Sequence, residues 1–345
     1  MAKIIYGVSG QGFGHSTRSK EILTYLVKQG HQVLVFTYGQ GLFFLQKDFD
    51  IYEIPGLGLH YKNNKLIYWR TVYDNVAKII NQSIKWHKIA KKFKEFTPDI
   101  VVTDFEPLTA VLAKINHLPL ISIDNQHQLT NSKVDCPLKA RHDLLADKIA
   151  IKSVVWGAKY YLVTTFYQTV VANKKTFLFS PIVRQEVLDL KPRKKDYILV
   201  YQTSNFDSLV KELKKIDAKF VMFGMKTEKR DGNIEFKNFD TDSWLNYLAD
   251  CKAIIGNAGL SLISECLYLQ KPYLALPIKQ QVEQIINAHY LEKLGYGKSA
   301  NEFTVRVFDN FMKNLSSYEH NLSRYKNKDN QKIFDKINEI IAELV

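Results

Sequence analysis

The sequence predicts an α/β protein of two domains, each built on a parallel sheet, that face each other across a cleft. Three observations lead to this fold class. The chain of 345 residues is too long for one ordinary core. Short β-branched runs alternate with helical patterns almost throughout, which is typical of parallel strands joined by crossover helices. A polar segment at 189–196, which contains Pro192, precedes a fresh strand and reads as a linker.

The domain boundaries follow from this linker. Residues 1–188 form the first predicted domain and residues 197–345 the second. The last helix carries apolar residues at helical spacing from Ile333 to Leu344, and it can pack back on the first domain. The predicted strands, taken in order, are 3–8, 32–37, 100–103, 120–123, 160–164, 197–201, 220–223, 253–255 and 273–276.

Bulk composition excludes several classes of protein. The hydrophobic fraction of 46% is that of a globular chain, and no stretch approaches the roughly 18–20 consecutive apolar residues of a spanning helix. Residues 1–6 run straight into a strand pattern and lack the layout of a signal peptide. Cys136, Cys251 and Cys266 match no metal spacing and cannot all pair, so a reducing cytoplasm is expected. The net charge of +13 favours an anionic partner.

A glycine-rich turn at 256–265 is the most informative segment. It follows an apolar strand and opens an apolar helix, and Gly256 and Gly259 let backbone N–H groups approach an anion closely. The helix N-terminus adds roughly half a unit of positive charge at that point. Glu265 follows within the helix, where a carboxylate can accept hydrogen bonds from vicinal hydroxyls. The segment predicts a site for a nucleotide-sugar, and a plain strand-to-helix turn is the alternative.

A second glycine-rich turn follows the first strand. Gly10, Gly12 and Gly14 stand at alternate positions and permit close backbone approach. The spacing fails the dinucleotide fingerprint, because no glycine stands three residues after Gly12. The second strand also ends without an acidic residue. A nicotinamide or flavin cofactor is therefore disfavoured.

A histidine and an aspartate are predicted to meet at this edge of the sheet. His15 begins the first helix, where a neutral imidazole can act as a general base. Asp104 ends the strand at 100–103, so it should lie at the same edge. A carboxylate bonded to one imidazole nitrogen fixes the tautomer and supports the charge that develops on the ring. Glu106 competes with Asp104 for this role, and a histidine that merely caps the helix is the alternative.

The segment at 63–96 is basic and aromatic. Its apolar residues recur every three or four positions, which predicts an amphipathic helix with a cationic face. Such a helix usually packs one face on the core and leaves the other in water. The functional alternative is contact with anionic lipid headgroups. The lysines on this face are Lys78, Lys85, Lys88, Lys91, Lys92 and Lys94.

Further polar residues follow strands of the second half. Glu283 and Gln284 lie just after a strand and open a helix, where an acid–amide pair can hold the hydroxyls of a sugar. Upstream, residues 201–204 end the first strand of this half with a run of polar side chains that includes Thr203. These groups share the predicted edge with the turn at 256–265, since ligands bind beyond the carboxyl ends of parallel strands.

Taken together, these motifs resemble the GT-B glycosyltransferases, whose two Rossmann-like domains face a cleft. The likeness is to the branch with the peptidoglycan N-acetylglucosaminyltransferase that acts on a lipid-linked acceptor and with the UDP-glycosyltransferases of natural products. More narrowly, the chain is similar to poorly characterised bacterial and archaeal enzymes with a Gly-x-Gly-x-Gly-His-x-x-Arg pattern, here residues 10–18. The likeness spans nearly the whole chain and includes residues 180–184, 256–265 and 283–288.

The resemblance implies an inverting transfer of a hexose or N-acetylhexosamine from a nucleotide-sugar, by expectation UDP-linked, to a hydroxyl of a lipid or glycan acceptor. His15 would be the base and Asp104 its support, with Gly10, Gly12 and Gly14 on the acceptor side. No metal and no cofactor beyond the donor co-substrate are implied, because the helix dipole and backbone donors can stabilise the departing diphosphate. The donor would be held by Asn257, Gly259, Ser261, Glu265, Glu283, Gln284, Arg184, Thr203 and Phe239.

Two other functions remain open from the sequence. One is a nucleotide-sugar 2-epimerase, which shares the fold and a donor-like site but needs no acceptor. The other is a non-enzymatic basic protein that binds membrane or nucleic acid, although no recognised nucleic-acid motif is present. The expected location is the cytoplasm, at the inner face of the cell membrane and in cell-envelope synthesis. The donor sugar, the nucleotide, the acceptor, the linkage and the oligomeric state are left undetermined.

Overall fold

A computed structural model describes residues 1–56, 61–62, 65–66, 83–202, 206–225, 227–327 and 329–345. The α/β class is confirmed, with two seven-stranded sheets. The chain divides into two compact units. The first comprises Met1–Asp135, Arg141–Arg184 and Asp329–Val345, and the second comprises Cys136–Ala140 and Gln185–Lys328.

The first unit has a seven-stranded sheet in the order β11-β9-β7-β6-β1-β2-β3, and all of its pairings are parallel. Two short antiparallel ladders, β4 with β5 and β8 with β10, lie apart from it. The strands are β1 (Lys3–Val8), β2 (Gln32–Thr37), β3 (Ile51–Glu53), β4 (Tyr61–Lys62), β5 (Lys65–Leu66), β6 (Ile100–Asp104), β7 (Leu120–Asp124), β8 (Ser132–Lys133), β9 (Tyr160–Thr164), β10 (Val170–Val171) and β11 (Thr176–Phe179).

Helices join these strands as crossover connections. The helices of the first unit are α1 (Phe13–Lys28), α2 (Gly39–Leu45), α3 (Ser83–Phe96), α4 (Pro107–Ile115), α5 (His127–Asn131) and α6 (Arg141–Val154). Since β6 pairs beside β1, the loops that follow these two strands lie next to each other. The register sets Val8 opposite Asp104, which brings the start of α1 to the end of β6.

The second unit has the strand order β14-β15-β13-β12-β16-β17-β18, parallel except for the β14–β15 hairpin. Its strands are β12 (Ile198–Tyr201), β13 (Phe220–Phe223), β14 (Lys229–Asp231), β15 (Ile234–Lys237), β16 (Ala253–Gly256), β17 (Tyr273–Ala275) and β18 (Gly297–Ser299). Its helices are α7 (Gln185–Leu188), α8 (Phe206–Leu213), α9 (Thr241–Asp250), α10 (Leu260–Tyr268), α11 (Val282–Lys293), α12 (Val305–Lys313) and α13 (Leu315–Leu322).

The final helix, α14 (Gln331–Leu344), belongs to the first unit. Its Ile333, Ile337, Ile340 and Ile341 are buried in the core that also contains Ile4 of β1. Burial of each such side chain contributes about 1.5–3 kcal/mol, so the apolar stripe is enough to hold the helix there. The predicted second domain, 197–345, therefore contains a helix that packs with the first unit.

The predicted linker packs on the second unit. Within 189–196, the backbone N–H groups of Arg193 and Lys195 donate to the carbonyls of Ala249 and Asp250 at 3.2 and 2.8 Å. Lys271, which is buried, donates its Nζ to the carbonyl of Arg193 at 2.6 Å and to that of Cys251 at 2.8 Å. The boundary between the units falls earlier, between Arg184 and Gln185.

No helix among the described residues is long and apolar enough to cross a membrane. Cys136, Cys251 and Cys266 are buried, and none of them forms a disulfide bond with another described residue. Burial raises the pKa of Cys251 to about 12, so this thiol stays protonated at neutral pH. The cysteines of the described structure are thus packing residues.

Candidate active site

The loop between β1 and α1 is built around glycines. Gly10 packs so closely on the next loop that an added Cβ would stand 2.0 Å from the carbonyl oxygen of Tyr38. Gly12 has a φ of +83° and precedes the first residue of α1. Both positions therefore require glycine, one for space and one for its backbone conformation. Gly14 lies in the first turn of the helix.

His15 and Asp104 are in direct contact. The imidazole Nδ1 lies 2.7 Å from Asp104 Oδ1. The His15 side chain is 14% exposed, whereas that of Asp104 is fully buried. A carboxylate can only accept hydrogen bonds, so Nδ1 carries the hydrogen and Nε2 has the lone pair. This is the tautomer that a general base needs.

Arg18 and Ser19 complete the surroundings of the carboxylate. Arg18 donates from Nε to Asp104 Oδ2 at 2.8 Å and from Nη2 to Oδ1. Ser19 donates its hydroxyl to Oδ2 at 3.0 Å. Although burial opposes it, the Arg18 guanidinium and His15 together hold the pKa of Asp104 below its ordinary value. Sequence reasoning missed a role for Arg18, whose spacing of three residues from His15 places both on one helix face.

The loop after β7 supplies the remaining neighbours. Asn125 Oδ1 accepts from Arg18 Nη1 at 3.0 Å. Gln126 Nε2 lies 3.5 Å from His15 Nε2. Among the described residues, the buried Gln126 Oε1 has no hydrogen-bond partner. The amide of Gln126 therefore stands beside the nitrogen that would accept a proton, with an unused acceptor of its own.

Glu106, the alternative to Asp104 as the partner of His15, caps a helix instead. It is the N-cap of α4, where its carboxylate accepts from Leu108 N at 2.9 Å and from Thr109 N at 2.6 Å. The backbone turns between the two acids at Phe105, which has a φ of +54°. Asp104 and Glu106 thus diverge, and Asp104 alone of the two contacts the imidazole.

A second histidine–aspartate pair anchors the β7–α5 loop. His127 Nδ1 lies 2.7 Å from Asp124 Oδ2, and its Nε2 lies 3.1 Å from the carbonyl oxygen of Val155. Asp124 also accepts from Ser122 at 2.5 Å and from the His127 backbone N–H at 2.8 Å. Both residues are buried. This pair holds the ends of the loop that presents Asn125 and Gln126.

The second predicted site lies at the turn between β16 and α10. An added Cβ at Gly256 would stand 2.6 Å from the Tyr273 hydroxyl and 2.9 Å from the Tyr201 carbonyl oxygen. The Tyr273 hydroxyl donates to the Asn257 carbonyl at 2.5 Å, and Asn257 Nδ2 donates to the Leu276 carbonyl at 3.3 Å. The turn is therefore held rigidly between neighbouring strands.

The start of α10 faces open space. A Cβ added at Gly259 would meet nothing within 4 Å, and this residue is the N-cap of the helix. Ser261 is exposed in the first turn, and Glu265 is 8% exposed further along. Backbone N–H groups at a helix start are suited to binding an anion, and the anion site at this turn stays a prediction.

Gln284 ties the two turns of this unit together. Its Oε1 lies 3.3 Å from Ala258 N and 3.1 Å from Ile278 N and accepts from both. Its Nε2 donates to Gln281 Oε1 at 2.6 Å. Glu283 is half-buried beside it, at the start of α11. The amide predicted to contact a sugar is thus also a brace between the turn at 256–259 and the loop after β17.

The remaining predicted donor residues are Phe239, Arg184 and Thr203, which lie in different parts of the chain. Phe239 is 58% exposed and lies against Trp244, with ring centroids 5.8 Å apart. Trp244 in turn packs on Tyr201 at the end of β12, at 5.1 Å. Arg184 is the last residue of the first unit's middle segment. Thr203 lies outside the described residues.

Among the described residues, no group of three or more histidine, cysteine, aspartate or glutamate side chains is arranged to hold a metal ion. The expectation of a metal-independent reaction stays a prediction.

Comparison with known proteins adds the family. A model of the family described as glycosyl transferase family 1 matches residues 2–316. An uncharacterized glycosyltransferase of Methanosarcina mazei is 25% identical, over 86% of this chain and 85% of its own length. A Bacillus cereus protein named UDP-N-acetylglucosamine–N-acetylmuramyl-(pentapeptide) pyrophosphoryl-undecaprenol N-acetylglucosamine transferase 3 is 26% identical, over 79% of this chain and 82% of its own length.

Solved structures share the fold. The glycotransferase of kitacinnamycin superposes with a TM-score of 0.69 at 17% identity and covers 98% of each chain. Acinetobacter baumannii MurG gives a TM-score of 0.65 at 17% identity, covering 98% of this chain and all of its own. VinC in complex with dTDP gives 0.63 at 15% identity, over 99% and 98%. The chain belongs to glycosyl transferase family 1 and is a glycosyltransferase of the GT-B fold.

Proposed function

We propose that this enzyme transfers a hexose or N-acetylhexosamine from a UDP-linked sugar to a hydroxyl of a lipid or glycan acceptor, with inversion and without a metal. The observation that supports this most is the contact between His15 Nδ1 and Asp104 Oδ1 at 2.7 Å. It leaves the lone pair of Nε2 available on a side chain that is 14% exposed. That arrangement is suited to removing a proton from a hydroxyl.

The reaction is a single displacement. The acceptor hydroxyl gives its proton to His15 Nε2 while its oxygen forms the new bond to the anomeric carbon. The bond from that carbon to the diphosphate oxygen breaks, and the nucleoside diphosphate leaves with the negative charge. One displacement at the anomeric carbon inverts its configuration. Asp104 stabilises the imidazolium that forms, because its carboxylate is bonded to the opposite nitrogen.

On the donor side, the diphosphate would meet Asn257, Gly259 and Ser261 at the N-terminus of α10, where backbone N–H groups and the helix dipole favour negative charge. Glu265 would accept from the ribose hydroxyls. The names of the Bacillus relatives support a UDP-linked N-acetylhexosamine as donor.

Three further groups complete the proposed donor site. Phe239 would line the base pocket, and its exposed ring against Trp244 offers a stacking surface. Arg184 and Thr203 would lie near the diphosphate. Glu283 and Gln284 would hold the sugar, and contact with Gln284 Nε2 would replace its present bond to Gln281.

On the acceptor side, the glycine loop and Gln126 would receive the hydroxyl. The loop that contains Gly10, Gly12 and Gly14 leads directly into His15 in the first turn of α1. Gln126 Nε2 can donate to the acceptor oxygen while His15 Nε2 takes its proton, since the two nitrogens are 3.5 Å apart. The unused Gln126 Oε1 suits a second donor, such as a neighbouring hydroxyl of a glycan.

We also propose peripheral contact with an anionic membrane at the inner face of the cell. In the described part of the basic segment, Ile89 and Phe93 of α3 are buried, whereas Lys88, Lys91 and Lys94 are exposed and Lys92 is half-buried. Lys78 lies outside the described residues, as does the side chain of Lys85. A basic face opposite a buried stripe can attract anionic headgroups.

The donor assignment is tested with a panel of nucleotide-sugars. We expect UDP to raise the melting temperature of the protein and one UDP-sugar to be consumed, with UDP released. Interconversion of the donor with no acceptor product would identify a 2-epimerase instead. If no UDP-sugar is consumed and UDP gives no thermal shift while dTDP does, the nucleotide assignment is wrong.

A further inference from the structure

The carboxylate of Asp104 accepts hydrogen bonds from two side chains with ring or guanidinium nitrogens, His15 and Arg18. Arg18 approaches both of its oxygens, through Nε and through Nη2, and His15 approaches only Oδ1. Arg18 Nη2 also lies 3.2 Å from His15 Nδ1. Because both of these nitrogens carry hydrogens, that contact is a close approach between a positive charge and the ring and not a hydrogen bond.

The neighbouring pair of Asp124 and His127 offers a comparison within the same sheet edge. There the carboxylate contacts Ser122 and His127, and both imidazole nitrogens of His127 face acceptors. Although burial opposes it, Asp124 raises the pKa of His127, with help from the Val155 carbonyl. An imidazole between a carboxylate and a carbonyl is stabilised as the cation, which cannot accept a proton.

His15 differs from His127 in the partners of its carboxylate and in the contact of its second ring nitrogen. Its carboxylate is bonded to a guanidinium, and its Nε2 lies beside the Gln126 amide nitrogen, which is a donor. We infer that Arg18 is a positioning residue: its guanidinium is bonded to both oxygens of Asp104 and stands beside Nδ1 of His15, where it opposes a second positive charge on the ring. This inference rests on the proposed role of His15 as the base.

The other charged groups around this cluster are consistent with that assignment. Tyr6 of β1 is fully buried, and burial together with Asp104 keeps its pKa above the ordinary value, so it is neutral. Asp124 of β7 faces Arg18 from the next strand but is already bonded to His127. Burial opposes the charge on Arg18, yet Asp104 raises its pKa, so Arg18 is permanently charged.

Removal of the guanidinium charge should make His15 bind a proton more readily. In Arg18→Gln, Asp104 would be left with one cationic partner, and the imidazolium form would lose its repulsion from Arg18. A charge of the same sign a few ångströms away disfavours the charged form of a titrating group, by on the order of one pH unit. We expect the acidic limb of the rate–pH profile to move up by about one unit or more.

Two further variants separate charge from structure. Arg18→Lys keeps the charge but not the two-pronged hydrogen bonding, so it should keep the acidic limb near the wild-type position while the maximal rate falls. Ser19→Ala removes a neutral donor to the same carboxylate, at 3.0 Å, and should leave the limb in place. The inference is overturned if Arg18→Gln leaves the limb unmoved, or if Ser19→Ala or Arg18→Lys moves it as far.

A spectroscopic measurement makes the test independent of the reaction. The titration of the His15 ring can be followed by NMR of labelled histidine, with its signal assigned by its loss in His15→Ala. The midpoint should be higher in Arg18→Gln than in the wild type and little changed in Ser19→Ala. Equal midpoints would refute the role of Arg18 even in an active enzyme. A raised midpoint without any transfer activity would refute only the proposed function.

Discussion

His15 Nδ1 lies 2.7 Å from Asp104 Oδ1, although 89 residues separate the two in the chain. Parallel pairing of β1 with β6 produces this contact, since the register sets Val8 opposite Asp104. The histidine thus stands on a helix and the aspartate at the end of a strand. Both supports are regular elements, which fixes the geometry of the pair more firmly than two loops would.

Replacement of His15 by alanine should abolish most of the transfer. Loss of a general base lowers the rate by about 10²–10⁴-fold. The measurement is the initial rate of acceptor-dependent transfer, with the thermal shift by UDP as a readout of donor binding that should persist. His142→Ala is the matched control, because that histidine belongs to the same unit and its side chain is 99% exposed. A His15→Ala enzyme with the rate of His142→Ala would assign the base elsewhere.

Glu265→Ala should weaken nucleotide binding. Loss of a buried carboxylate that accepts from the ribose hydroxyls lowers affinity by about tenfold, or 1.4 kcal/mol. Titration calorimetry with UDP gives this difference directly. Glu302→Ala, in the same unit and 73% exposed beside Lys279, should bind UDP as the wild type does. Equal affinity of the two variants would remove Glu265 from the donor site.

Gln126→Ala should impair the use of the acceptor and spare the donor. The amide that stands 3.5 Å from His15 Nε2 would no longer orient the hydroxyl, so kcat/KM for the acceptor should fall about tenfold. Slow hydrolysis of the donor by water should change little. Gln168→Ala, exposed in the same unit, is the control. Parallel losses of transfer and hydrolysis would show that Gln126 acts on something other than the acceptor.

Neutralising the exposed lysines of α3 should weaken membrane binding. Each lysine near an anionic surface contributes about 1 kcal/mol, so substitution of Lys88, Lys91 and Lys94 by glutamine should lower vesicle binding by about 10²-fold. Flotation with vesicles of mixed neutral and anionic lipids measures this. A matched variant loses three exposed cations of the second unit, Arg306, Lys313 and Arg324. Unchanged flotation of the α3 variant would place the membrane contact elsewhere or exclude it.

The sequence predicted the parts of the fold that follow from local patterns. The nine predicted strands are all present, to within a residue at their ends, because each is a short apolar run between polar turns. The missed strands include Ile51–Glu53, Thr176–Phe179 and Gly297–Ser299, which lie at the edges of the sheets. Edge strands are short or contain polar residues, so the apolar pattern that predicts a strand is weak in them.

Contacts between residues far apart in the sequence are the part of the structure that could not be predicted from local patterns. The sequence favoured Asp104 as the partner of His15 but could not exclude Glu106, because their separation depends on the backbone turn at Phe105. The apolar stripe of α14 was visible in the sequence, with packing back on the first domain as an expectation, and the structure buries this stripe in the core that contains Ile4. Gln126 escaped notice since no local pattern relates it to His15, 111 residues away.

Glu106 should make the stability of the protein depend on pH. Burial raises the pKa of Glu106 from 4.5 to about 7 against the effect of its hydrogen bonds to Thr109 and Leu108. Between these values the native state keeps a proton that the unfolded chain has released. The free energy of unfolding therefore falls as pH rises from about 4.5 to about 7, and it levels off above that.

At about 1.4 kcal/mol per pH unit, the decrease attributable to Glu106 amounts to about 3 kcal/mol. Glu106→Gln cannot ionise, so its unfolding free energy should lack this decrease, although loss of the helix cap lowers its stability at pH 5 by about 1 kcal/mol. Urea unfolding of both proteins at pH 5 and pH 8 gives the comparison. The difference in unfolding free energy between the wild type and Glu106→Gln should shrink or reverse at pH 8, because only the wild type then holds a buried charge at the start of α4. A difference that is the same at both pH values would mean that Glu106 is ionised throughout and caps the helix as a carboxylate.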